Sequence, residues 1–144
     1  MEINTASAVI SFAKKLQEDG AKFYDSLSQR YPQGKDVFLT FAKENKKNIV
    51  QIERAYYGVI TDAIEGCFAF NINPDEYTLK TELAERMSYS QALDKAVEIE
   101  EKMIGFYSNA AGQSKSLMAD VPRTFTLIVR KRESRESKLR SLLK

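Results

Sequence analysis

Apolar residues return at steps of three and four in four long segments of the chain, the spacing that gathers them on one face of an α-helix, and convincing period-two alternation is found nowhere. The first segment, roughly 5–30, carries Val9, Phe12, Ala13, Leu16, Gly20, Phe23, Tyr24 and Leu27 on one stripe. It stops at Tyr31-Pro32-Gln33-Gly34, where proline and glycine break the pattern. The second, roughly 35–64, carries Phe38, Phe41, Ala42, Ile49, Ile52 and Tyr56 and ends before Gly66. Residues 65–88 lose the pattern around Asn71, Asn73 and Pro74 and read as a crossover connection with a short helix across Tyr77 to Ala84. Ser88 followed by Gln91 is a capping box that opens a third helix of roughly 89–111, with Ala92, Leu93, Ala96, Val97, Met103, Ile104 and Tyr107 inward and Gly112 as its stop. Asp120, two residues before Pro122, restarts the chain into a fourth helix bearing Phe125, Ile128, Val129, Leu139 and Leu142. The expectation is an all-α chain forming one domain over residues 1–144.

Polar residues interrupt these stripes at matching points. Asn45 sits in the middle of the second stripe and Asn48 at its edge, although asparagine is a poor helix former and a buried amide left unpaired costs about 1–3 kcal/mol. An internal echo suggests what faces them. Leu16-Gln17-Glu18 followed by Phe23-Tyr24 returns 83 positions later as Ile99-Glu100-Glu101 followed by Phe106-Tyr107. Phe41-Ala42 with Asn45, Asn48 and Ile52 returns 87 positions later as Ile128-Val129 with Arg132, Arg135 and Leu139. Two related helical hairpins joined by a long crossover describe a four-helix bundle in which one connection runs the length of the molecule. Residues three apart share a helix face, so Gln17, Asn45, Asn48, Glu100, Arg132 and Arg135 are expected to converge on one level of the interior.

Composition narrows the chemistry. The 144 residues are 43% hydrophobic and 29% charged, ordinary for a globular domain, and the net charge of +2 makes nucleic acid an unlikely partner. The run Arg130 to Arg140 alternates in sign without interleaved aromatics, which fits a solvated helix face better than a nucleic-acid surface. A single Cys67 forms no internal disulfide, its neighbours Phe68, Ala69 and Phe70 favour a buried structural thiol, and a cytoplasmic setting is expected. The N-terminal stretch has no basic lead and reads as an amphipathic helix rather than a signal peptide, and no apolar run suggests a membrane span. There is no histidine, which removes the commonest general base and the commonest transition-metal ligand.

LQEDGAKFY (16–24) and IEEKMIGFY (99–107), each with a polar residue seven positions before a tyrosine, together with FAKENKKNIVQI (41–52) and IVRKRESRESKL (128–139), resemble the four helix motifs of the rubrerythrin-like branch of the ferritin-like superfamily. The resemblance implies a ferritin-like bundle and, in typical members, a di-iron site built from a glutamate on each of two helices and Glu-x-x-His on the other two. At the matching positions Gln17 and Asn45 stand for glutamates, Asn48 for a histidine, and Arg132 and Arg135 for the last Glu-x-x-His; Glu100 alone keeps its carboxylate. Iron sites of this kind need anionic oxygens and imidazole nitrogens, and guanidinium does not ligate. The implied function is a non-catalytic bundle that holds no metal or cofactor, its iron replaced by a polar core network, acting as a structural or protein-interaction module.

Alternatives remain open at this level. Asn45 and Asn48 also suit an ordinary polar layer, Arg132 and Arg135 also suit snorkelling to water, and Glu136 competes as the inward residue of the fourth helix. Tyr24 and Tyr107 suit core aromatics with satisfied hydroxyls better than redox residues. A homodimer is expected through Tyr56, Tyr57, Val59 and Ile60, with an unknown protein partner as a further possibility. The competing function is a rubrerythrin-like di-iron oxidoreductase or an iron-binding protein that draws on Glu18, Glu44, Glu100 and Glu101 as unorthodox ligands.

Overall fold

The computed structural model describes residues 3–57, 70–114 and 120–143. Among them are four long helices, α1 Ala6–Arg30, α2 Lys35–Tyr57, α3 Tyr89–Gln113 and α4 Asp120–Leu143, and no strand. Local signals set most of the ends. The Thr5 hydroxyl accepts from the Ala8 amide at 3.2 Å to open α1, and the Tyr31 amide donates back to Leu27 to close it. A 3-10 turn, Pro32–Gly34, then reverses the chain; a side chain at Gly34 would meet Phe38 and the Tyr89 hydroxyl at 2.7 Å, so glycine is needed where the hairpin packs against α3. Ser88 and Gln91 form both bonds of the capping box at α3.

Each helix buries the stripe that its spacing defines. Val9, Ala13, Leu16, Phe23, Tyr24 and Leu27 of α1 meet Phe38, Ala42 and Ile52 of α2, Leu93, Ala96, Met103 and Phe106 of α3, and Phe125, Ile128 and Leu139 of α4. At about 1.5–3 kcal/mol per large apolar side chain fully buried, this core dominates the favourable energy of folding. The contacts fix helix direction. Lys14 pairs with Glu53 and Gly20 abuts Asn45, so α1 and α2 are antiparallel; Tyr24 reaches Glu100 and Tyr107 reaches Ala13, so α1 and α3 are antiparallel too. Arg135 bonds Phe41 while Lys131 bonds Gln51, which sets α4 against α2 in the same sense.

Three expectations change. The segment Tyr77 to Ala84 is not a helix. A 3-10 turn, Pro74–Glu76, capped by the Asn73 side chain, precedes it, and residues 78–84 are irregular. Leu79, Thr81 and Leu83 turn inward while Lys80, Glu82 and Ala84 face solvent, an alternation that an extended chain creates and a helix cannot. Gly112 does not end α3, which continues to Gln113; the Gln113 amide donates to Asn109 and to the Asn71 carbonyl, holding the last turn in place. The dimer surface expected on α2 loses its first member, because Tyr56 is part of the core, while Val59 and Ile60 lie outside the described residues, as do Cys67 and residues 58–64 of the expected second helix. No described helix is long and apolar enough to cross a membrane.

Candidate functional site: a guanidinium network at the bundle centre

Arg132 occupies the middle of the bundle with 0% of its side chain exposed. It lies one turn after Ile128 and two turns before Leu139 on the inward stripe of α4, and its guanidinium stays inside the bundle. Its Nη1 donates to both oxygens of Glu100, at 2.8 and 3.2 Å, and its Nη2 donates to the side-chain oxygens of Gln17 and, at 2.7 Å, Asn45. One planar cation thereby binds α1, α2 and α3 to α4. The flat fork of guanidinium suits this task, because its donors diverge in a plane toward partners on three sides.

Arg135 sits one turn further along at 2% exposure, nearer the α2 rim. It donates from Nη1 to Asn45, from Nη2 to the Phe41 carbonyl at 3.1 Å and from Nε to Glu44 at 3.1 Å, and its Nη1 lies 3.6 Å from Glu100. The guanidinium also stands over the Phe41 ring at 4.8 Å. Burial, and next the neighbouring Arg132 charge, lowers the Arg135 pKa, while Glu100 and Glu44 oppose that shift. Two buried cations thus face one buried carboxylate and one at the rim, which balances the charge without any small ion.

Two tyrosines complete the centre. The Tyr24 hydroxyl donates to Glu100 at 2.6 Å, whereas Gln17 donates to the Tyr107 hydroxyl at 2.9 Å and Tyr107 in turn donates to the Ala13 carbonyl at 2.6 Å. Gln17 and Glu100 occupy equivalent places in the two hairpins, and each is met by the tyrosine of the other. The carboxylate takes a proton donor and the amide supplies one, so the two hydroxyls point to different acceptors. Burial, and next the charge of Glu100, raises the Tyr24 pKa well above the ordinary value; burial likewise raises that of Tyr107. Both stay neutral donors.

Asn45 holds its place through its backbone surroundings. Its Nδ2 donates to the Gln17 carbonyl at 3.1 Å, and a Cβ on Gly20 would come within 2.5 Å of that nitrogen. The absence of a side chain at Gly20 is what lets α2 bring an amide this close to α1. Of the six polar residues singled out by their positions in the stripes, Gln17, Asn45, Glu100, Arg132 and Arg135 are bonded to one another. Asn48 is buried beside them yet has no partner for either side-chain atom among the described residues, and the Nε of Arg132 also lacks one. The expectation that Asn48 helps satisfy the network is therefore corrected: it stands one turn beyond Asn45 and takes no hydrogen bond from either guanidinium.

No family model, characterised protein or solved structure matches this chain. Among the described residues no three histidine, cysteine, aspartate or glutamate side chains converge as a metal would require. Glu18 and Glu101 lie on the exposed surface, Glu101 paired with Arg140, and Glu44 is engaged by Arg135. Glu136 is half-buried and paired with Arg140 rather than turned to the centre. The donor set at the bundle centre is two guanidiniums, two amides, two phenols and one carboxylate, which does not fit a di-iron pair. Tyr24, Tyr107 and Glu44 join the central network although the stripes alone do not assign them to it. The seven-residue spacing from Gln17 to Tyr24 and from Glu100 to Tyr107 was the available signal for the tyrosines.

Proposed function

We propose that this chain is a non-catalytic, ferritin-like bundle of the rubrerythrin-like kind in which fixed guanidinium charge has taken the place of iron, and that it serves as a structural or protein-interaction module. The observation that carries this reading is the fully buried Arg132, which joins Glu100, Gln17 and Asn45 at the level where the resemblance puts metal ligands. Helix directions support the architecture, since α2 and α3 each run antiparallel to α1 and so parallel to one another, which a short turn between them cannot achieve. So do the ties along residues 70–88. Ile3 pairs with Ile72 before α1 begins, and the side chains of Arg30 and Tyr31, where α1 ends, donate to the carbonyls of Glu85 and Met87.

A cation held by the chain differs from a bound metal in what it permits. Guanidinium has no vacant coordination site and no accessible second oxidation state, so it ties helices together without offering a place for oxygen or peroxide to react. Anaerobic titration with ferrous ion, followed by elemental analysis, tests the reading. The expected result is no stoichiometric binding; two ferrous ions per chain, lost on Glu100→Ala, would overturn it.

A further inference from the structure

Two hollows lie end to end in the outer groove between α2 and α4. One, of about 360 Å³, is bordered by Lys47, Lys131 and Lys138; the other, of about 300 Å³, by Arg54, Arg123 and Leu127. The five cations are exposed and none is in an ion pair among the described residues, Lys131 alone touching a neutral partner, Gln51. Glu44 is the one acid lining the hollows, and Arg135 already holds it at 3.0 Å. Leu127, 48% exposed, lines the second hollow beside Ala55.

Five unpaired cations and the exposed Leu127 thus line one groove whose single acid is already engaged. We propose that the α2–α4 groove docks an acidic amphipathic helix of a protein partner, with aliphatic side chains over Ala55 and Leu127 and carboxylates toward Lys47, Arg54, Arg123, Lys131 and Lys138. This deepens the interaction-module reading and rests on it. Arg123 and Lys138 are fifteen residues apart on α4, so the charged strip is about 22 Å long and matches about four turns of a partner helix. Carboxylates on such a helix gain from the field of the five cations, and the aliphatic contacts supply the burial that charge alone does not.

Other occupants fit less well. Single-stranded nucleic acid is held by aromatic platforms interleaved with cations, and the aromatic side chain in these hollows, Phe41, is buried beneath the Arg135 guanidinium. A second copy of the chain presenting the same face would bring like charges together. An anionic membrane favours apolar side chains that project from a convex face, whereas Leu127 lines a recess.

The test is fluorescence anisotropy with a labelled peptide of about fifteen residues that carries glutamates along one helical face and leucines along the other. We expect saturable binding that weakens with salt and weakens about tenfold or more in Lys47→Glu/Lys131→Glu and in Leu127→Asp. Lys22→Glu/Arg86→Glu, which alters cations elsewhere, should leave it unchanged, and a peptide of the same composition with its acids scrambled around the helix should bind about tenfold more weakly. Circular dichroism confirms that the surface variants stay folded. Indifference to scrambling, equal sensitivity to the control pair, no binding of the peptide, or tighter groove-dependent binding of an oligothymidine or of phosphatidylserine vesicles would each overturn the proposal. Iron titration of the same preparation separates the two claims, because failure of the peptide with no iron bound sinks only the groove, whereas stoichiometric iron sinks the underlying reading.

Discussion

Replacing Glu100 by alanine removes the one buried anion from a centre that holds two guanidiniums. In the folded protein Glu100 is 0% exposed, accepts two bonds from Arg132 and one from Tyr24, and lies 3.6 Å from Arg135. Without it the Nη1 of Arg132 and the Tyr24 hydroxyl lose their acceptor, and the remaining partners of Arg132 are neutral amide oxygens. Stranding one member of a buried ion pair costs about 3–5 kcal/mol, a large part of the total stability of about 5–15 kcal/mol for a domain. With a urea slope of about 1–3 kcal/mol/M, the unfolding midpoint should fall by about 2 M, with the slope unchanged. Glu98→Ala, an exposed change on the same helix, should stay within about 0.5 kcal/mol. Glu100→Leu combined with Arg132→Met should recover much of the loss, because desolvating a pair offsets most of its attraction, so removing both charges is far cheaper than removing one. Equal and small effects of Glu98→Ala and Glu100→Ala in urea denaturation would refute the argument from buried charge.

The other expectations follow from the same geometry. Asn48→Leu should stabilise the protein by about 1–3 kcal/mol, since it removes a buried amide that has no partner, while Asn45→Leu should cost about 3 kcal/mol or more by depriving both arginines of an acceptor; chemical denaturation that ranks them the other way would contradict the bonding described here. Gly20→Ala, which within a helix ordinarily gains about 0.5–1 kcal/mol, should instead cost about 1–3 kcal/mol, because the new methyl meets Asn45 at 2.5 Å, and the sign of the melting shift decides it. Tyr24 and Tyr107 hold their protons in the folded state above the pH of about 10 at which an unfolded tyrosine releases them, so their contribution is fully present below that pH and is lost as pH rises beyond it. Alkaline unfolding should therefore be less steep in Tyr24→Phe, and an absorbance titration in which all seven tyrosines ionise near pH 10 while the fold persists would contradict their burial.

The four helices were legible in the sequence because helix formation is decided largely by local spacing. Stripes such as Val9, Ala13, Leu16 and Phe23, the Ser88–Gln91 capping box and the Pro32–Gly34 break are each read within a few turns of chain. The level at which the polar residues meet was also legible, since Gln17, Asn45, Glu100, Arg132 and Arg135 each occupy an inward position of their own helix. Their pairing was not. Whether Arg132 turns inward or reaches water depends on the acceptors it finds there, and Gln17, Asn45 and Glu100 come from three other helices, with Gly20 letting Asn45 stand close to α1. Asn48 shows the same limit, because spacing buries it as surely as Asn45, yet only Asn45 finds partners in the assembled bundle. The stretch Leu79 to Leu83 shows it again, for a weak helical pattern yields to an extended path once the chain is tied at Ile72 and at Met87 to opposite ends of α1. Periodicity fixes which face of a helix is buried; the distances between helices, set by side chains far apart in sequence, fix what each buried group finds there.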